Sequence, residues 1–156
     1  MKSILISIRP QWCEKIVSGK KTIEVRKTAP KEVPFKCYIY MTQGAYKDLG
    51  LYSEGIYQNR MKVIGEFICD MVYLIKNQRN RFVVANEEQG VTNEIARQSC
   101  LDYDDMVNYL GDKDGYGWHI SDLKIYDKPK ELSEFCGRKK LTRPPQSWQY
   151  VKELEK

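Results

Sequence analysis

Apolar positions in this chain recur mostly with period two, and helical spacing holds only in three short stretches. Ile4, Ile6 and Ile8 alternate with Ser3, Leu5 and Ser7, which predicts a strand over residues 2–8 with one face well buried. Pro10 suits the first turn of a helix. Trp12, Cys13, Ile16 and Val17 follow at helical spacing and Gly19 suits a left-handed stop, so a short amphipathic helix is expected over 10–18. Residues 21–27 alternate charged and apolar, with Ile23 and Val25 inward, and 35–42 form an aromatic-rich run; both read as strands. A long strand over 61–75, bent at Gly65, and another over 116–126 are predicted. Thr92 and Asp102 suit caps of two helices, through Ser99 and through Leu110, the second stopped by Gly111. Residues 141–148 are held extended by their prolines, with Trp148 and Val151 anchoring the terminal turn. Residues 43–60, with Tyr46, Tyr52 and Tyr57 among glycines, read as an irregular insertion, and 77–91 as polar loop. The order β-α-β-β-insertion-β-α-α-β has too few helices for a doubly wound sheet. It predicts an α+β fold: a small β-barrel of five or six strands decorated by helices, one domain over 1–156 with insertions around 43–60 and 77–112.

Composition leaves that picture standing. The 156 residues suffice for one core and are short for two. No apolar run approaches the roughly 20 residues of a membrane span, and the first eight residues read as a strand rather than a leader. The five cysteines, Cys13, Cys37, Cys69, Cys100 and Cys136, are odd in number and lie 24 to 36 residues apart, with no C-x-x-C pair and a single histidine. They are expected to be reduced, mostly buried thiols in a cytoplasmic protein without a metal site.

Charge changes the picture more. The net +5 is uneven: residues 1–47 hold ten Lys/Arg against three Asp/Glu, and residues 48–156 sixteen against eighteen. Acids gather from Glu87 to Asp114, and Arg138-Lys139-Lys140-Leu141-Thr142-Arg143 is basic again. A basic N-terminal third attracts phosphates, unless it is merely solvated.

The densest candidate chemistry lies at Gly19-Lys20-Lys21-Thr22-Ile23-Glu24-Val25-Arg26, which reads G-x-K-x-x-E-x-R. Glu24 and Arg26 share one side of the expected strand, while Lys21 has the opposite parity. Two readings stand: an i,i+2 surface ion pair worth about 0–1 kcal/mol, or a site in which Lys21 binds phosphate or, if desolvated, serves as base or nucleophile. Of the tryptophans, Trp12 fits the apolar stripe of its helix, and Trp148, after Pro144-Pro145-Gln146-Ser147, suits the lining of a cleft. Trp118 stands beside His119, itself either a structural residue or a general base or base-edge donor. No Gly-rich phosphate loop, G-x-S-x-G or convincing carboxylate pair is present.

Together these segments resemble the ASCH family, a branch of the PUA-like β-barrels. The likeness runs from Ser7-Ile8-Arg9-Pro10-Gln11-Trp12 through the signature carried by Gly19, Lys21, Glu24 and Arg26. It continues in Lys62–Glu66, Trp118-His119-Ile120 and the ending Leu141–Trp148, and omits 43–60 and 77–112. It implies a barrel with a cleft beside the first helix that takes RNA, a nucleotide or a nucleoside, with no cofactor. Arg9, Lys21 and Arg26 would bind phosphate or base edges and Glu24 would orient them or read an amino group, with His119 and Ser147 beside them and Trp118 and Trp148 stacking. One bacterial ASCH type is an amidohydrolase of acetylated cytidine that uses a lysine matching Lys21, a threonine three residues later and a distant glutamate. Here Glu24 occupies the threonine position. A hydrolase of this kind would use Lys21 with Glu24 or Glu66, and other members are ribonucleases. The remaining alternative is a protein-interaction module built on the tyrosine-rich insertion.

Overall fold

The computed structural model of the chain describes residues 1–45, 55–78, 81–84 and 91–155. Half of the tyrosine-rich insertion, including Tyr46 and Tyr52, lies outside them. Nine strands and three α-helices are described: β1 (Lys2–Ile8), α1 (Pro10–Val17), β2 (Ile23–Arg26), β3 (Phe35–Met41), β4 (Lys62–Cys69), β5 (Val72–Gln78), β6 (Arg81–Val84), α2 (Val91–Ser99), α3 (Tyr103–Leu110), β7 (Gly115–His119), β8 (Ser121–Lys130) and β9 (Trp148–Val151). The fold is α+β, as the scarcity of helical spacing predicts. The strands form a five-stranded sheet, β8-β4-β3-β1-β9, and a four-stranded sheet, β2-β7-β5-β6, that do not close on each other. Among the described strands, only β1 and β3 pair in parallel.

Two long strands expected from the sequence are each a pair. The run 61–75 breaks at Asp70-Met71, and the run 116–126 breaks at Ile120. At each break the chain leaves one sheet for the other: β4 and β8 belong to the first, β5 and β7 to the second. Periodicity cannot see this, because both strands of each pair keep an apolar face. Gly65 marks a register irregularity, as its expected bend suggests, and a Cβ there would meet the Lys124 carbonyl oxygen at 2.4 Å. The polar stretch 77–91 contains β6, whose Phe82 and Val84 are buried.

The main core lies between the sheets: Ile4, Ile6 and Ile8 of β1 and Cys37, Ile39 and Met41 of β3 meet Trp118 and the inner face of α1. A second core packs β2, β5 and β6 against α2 and α3. A third covers the outer face of the first sheet, where Phe135 and partly buried Leu132, Leu141 and Leu154 lie on Leu5, Tyr38 and Val63. Strand β1 is thus central and covered on both faces, so Leu5 is as buried as its isoleucines. Two of the expected caps are found, with Gly19 at φ +78° and Asp102 and Asp105 in a reciprocal capping box on α3, whereas α2 starts at Val91, which puts Thr92 inside the helix rather than at its cap.

Candidate functional site

The signature is buried. Lys21, Glu24 and Arg26 are 2%, 6% and 8% exposed, so the surface ion pair is ruled out and each charge must be met inside the protein. Strand β2 begins only at Ile23, so strand alternation does not govern Lys21. Its backbone N–H donates to the Lys15 carbonyl (2.9 Å), which folds the connection back onto α1. Its Nζ donates to the Ser99 carbonyl at 2.5 Å, at the C-terminus of α2, where a cation suits the helix dipole. The same ammonium lies 3.5 Å from Glu24 Oε2 and 5.1 Å from the centre of the Trp12 ring. From the other side Arg26 Nε donates to Glu24 Oε1 (3.1 Å), Nη2 to the Ser7 carbonyl (2.7 Å) and Nη1 to Ser147 Oγ (3.4 Å). One carboxylate thus stands between two cations. Glu24 Oε2, though ion-paired, accepts no hydrogen bond from a described residue.

These groups form the floor of a cleft of about 860 Å³, within the size range of small-molecule sites. Arg9 and Trp12 of α1 line one side. Asp105, Asn108 and Tyr109 of α3 line another, Gln146 and Ser147 a third, and Lys27 and Thr28 lie where β2 leaves it. Arg9, the N-cap of α1, and Lys27 are exposed. Lys27 Nζ sits 5.1 Å over the Tyr109 ring, and burial pushes the Tyr109 hydroxyl above its ordinary pKa. Ser7 fixes the C-terminal segment here: its Oγ donates to the Pro145 carbonyl (2.6 Å) and its N–H to the Ser147 carbonyl (2.9 Å).

Of the residues singled out from the sequence, Arg9, Lys21, Glu24, Arg26 and Ser147 meet in this cleft. The others do not. Trp118 is fully buried between the sheets, edge-on to Phe35 and Trp148, and cannot stack on a ligand. Trp148 is half-buried beside the cleft, its Nε1 donating to Thr28 Oγ1 (3.0 Å). His119 pairs with Asp70 (2.6 Å) at the crossing between the sheets. Glu66 lies on the outer face of the first sheet, accepting from Tyr126 (2.5 Å) with Lys36 at 3.8 Å, so it cannot be the second carboxylate of a Lys21 site. The cleft's aromatic residues are instead Trp12 and Tyr109. The apolar stripe of α1 does accommodate Trp12, yet the edge of that stripe borders the opening, and Lys15 and Lys21 both lie over its ring. Tyr109 comes from the segment the resemblance leaves out, and no local signal ties it to a motif more than 80 residues earlier.

Among the described residues no cluster with metal-ligating composition exists, no helix is long and apolar enough to cross a membrane, and all five cysteines are free. Burial raises the thiol pKa of Cys13 and Cys37, and that of Cys69 to about 12, so these three behave as small apolar residues.

No protein-family model matches the chain, and no curated protein matches it. Solved structures do. An ASCH protein from Zymomonas mobilis superposes with a TM-score of 0.66 at 20% identity, over 97% of this chain and 89% of that one. A tyrosine-to-phenylalanine mutant of it gives 0.66 at 19% identity, over 98% and 92%. A serine-to-alanine mutant gives 0.66 at 19%, over 97% and 89%. Each superposition spans nearly the whole chain. The likeness is one of fold, and this chain has the fold of the ASCH proteins.

Proposed function

We propose that the cleft binds RNA, one nucleotide entering with its base edge toward Glu24 and its phosphate toward Arg9 and Lys27. The observation that carries this is Glu24 on the cleft floor, whose Oε2 is held by the ion pair with Lys21 at 3.5 Å and accepts no hydrogen bond from a described residue. A buried acceptor left unmet costs about 1–3 kcal/mol, which a ligand N–H recovers. The exocyclic amine of a nucleobase supplies such a donor. Trp12 and Tyr109 offer flat apolar surface to the ring, and base–aromatic stacking is worth about 1–3 kcal/mol. The two exposed cations favour a phosphate at the mouth.

Hydrolysis by Lys21 has less support. Its three contacts, a carboxylate, a helix-terminal carbonyl and an indole face, all suit a cation rather than a base or nucleophile. Glu66 is on another face of the molecule.

The test needs no variant at the cleft floor. Cytidine monophosphate is titrated against its N4,N4-dimethyl analogue, which keeps ring and phosphate but has no base N–H. A roughly tenfold or larger loss on methylation is expected, the worth of one charge-assisted hydrogen bond. Equal affinity, or no binding of either at low salt, would overturn the proposal.

A further inference from the structure

The edge of β2 opens into the cleft at one residue. On β7 and just beyond it, successive residues bond to opposite neighbours. The His119 N–H donates to the Met71 carbonyl before β5 (2.9 Å), and the Ile120 N–H to the Thr22 carbonyl before β2 (2.9 Å). Carried along the register, Trp118 and Tyr116 bond to their partners Glu24 and Arg26. The N–H and C=O of Ile23 and Val25 therefore point away from β7, and β2 is the outer strand of its sheet, so no further strand meets them.

Helices cover this edge at both ends. The Thr22 N–H donates to the Gln98 carbonyl in the last turn of α2 (2.8 Å), and Ile23 is fully buried in the core that includes Ile95 of α2. At the other end the Lys27 N–H donates to the Tyr109 hydroxyl of α3. Val25 remains between them. It lines the cleft while its side chain packs in the second core, so the part it turns to the cleft is main chain. Neither its N–H nor its C=O has a hydrogen-bond partner among the described residues. Buried main-chain groups are almost always paired, so this pair points to a ligand. A gap one residue long is too short for a peptide strand. It suits a small planar group with an acceptor and a donor on one edge.

We infer that the main chain of Val25 is the second group that reads the base, and that the cleft takes cytosine in preference to uracil. This rests on the reading of Glu24 as acceptor for an exocyclic amine and adds the atom beside that amine. In cytosine that atom is N3, a ring nitrogen that accepts, and the Val25 N–H donates to it. Uracil has the same outline with the pattern reversed: O4 accepts and N3–H donates. Val25 alone serves either base, since it offers both a donor and an acceptor. The Glu24 carboxylate only accepts, and uracil would turn O4 toward it, leaving two acceptors face to face.

A main-chain group outlasts any side-chain substitution, so the experiment edits the ligand. Cytidine monophosphate is titrated beside uridine monophosphate and beside 3-deazacytidine monophosphate, in which C–H replaces N3 while amine and phosphate stay. The Val25 amide is followed by NMR in each titration. Loss of N3 and the change to uracil should each weaken binding about tenfold or more. Cytidine monophosphate should move the Val25 amide proton downfield, and the deaza analogue should not. Equal affinity for the deaza analogue or for uridine monophosphate, or a Val25 amide unmoved at saturation, would overturn the inference. Binding that falls on dimethylation of the amine but ignores loss of N3 would keep the Glu24 reading and sink the role of Val25. Binding that falls with loss of N3 but ignores dimethylation would keep Val25 and sink the Glu24 reading instead.

Discussion

Two clusters of charge lie on this protein, and they are built differently. On the outer face of the first sheet, Lys36 donates to Glu153 (2.6 Å) and lies 3.8 Å from Glu66, and Glu66 in turn accepts from Tyr126. Both carboxylates have hydrogen-bond donors, and the side chains keep some contact with water. In the cleft, Lys21, Glu24 and Arg26 are almost wholly buried, and Arg26 directs its donors to Glu24, Ser7 and Ser147. There one carboxylate oxygen has no hydrogen bond from a described residue, and the residue that bears it lines the cleft. A closed network holds structure together; a network with one place left open beside a cavity holds a ligand. Charge density alone does not tell the two apart, since both clusters set a lysine beside a carboxylate within a group of three charges.

The largest expected effect tests that contrast on stability. Glu24→Gln leaves two buried cations without their counter-charge and should destabilise the fold by about 3–5 kcal/mol, lowering the melting temperature by roughly 10 °C. Glu66→Gln leaves Lys36 paired with Glu153 and Tyr126 with an amide oxygen to donate to. It should cost at most about 1 kcal/mol. Thermal melts of the two variants side by side check this, and equal shifts would break the comparison.

The next effect separates binding from folding. Arg9→Ala with Lys27→Ala removes the exposed cations of the cleft and none of its buried bonds. RNA affinity should drop about tenfold and the log–log salt slope should flatten by about 0.7 per phosphate left without its cation, while stability moves by no more than about 0.5 kcal/mol. Glu66→Gln in the same titration should leave affinity unchanged. A fall there equal to that of the rim variant would mean the outer cluster also binds RNA.

Much of this is legible in the sequence, and the misreadings have local causes. Strand β1 and helix α1 lie within a residue of their expected ends because alternation, proline and Gly19 all agree there. Glu24 and Arg26 do share one side of a strand, as their spacing requires. What the sequence hides depends on residues far apart in the chain. Lys21 is turned inward by the Ser99 carbonyl, 78 residues later. The α3 wall comes from a stretch that resembles nothing in the signature. One tryptophan leaves its expected place: Trp118, expected to stack, is core, whereas Trp12 packs on the core from its helix stripe as expected and also lines the cleft. A strand tryptophan's fate depends on whether a second sheet covers it, and only the sheet order supplies that.

The smallest expected effect concerns a third pair, Asp70 and His119, more exposed than either cluster and outside the cleft. These residues sit where β4 passes to β5 and β7 to β8, so their hydrogen bond ties together the two crossings between the sheets. That bond, helped less by Ser121, holds the Asp70 carboxyl below the ordinary 3.8. A depressed folded value means stability that is fully present above the unfolded value and is lost as pH falls through the folded one. His119→Ala should therefore raise the Asp70 carboxyl toward the ordinary value, as followed by carbon NMR titration of the side-chain carboxyl. The variant should be slightly less stable than wild type at neutral pH, and the gap should close in acid below the wild-type Asp70 value. A gap that persists there would assign the loss to packing of the imidazole rather than to its hydrogen bond with Asp70. RNA affinity should be unmoved throughout, because this pair, like the outer cluster, offers no open acceptor to a cavity. A matching fall in RNA affinity would put His119 in contact with the ligand and break the distinction between closed and open networks.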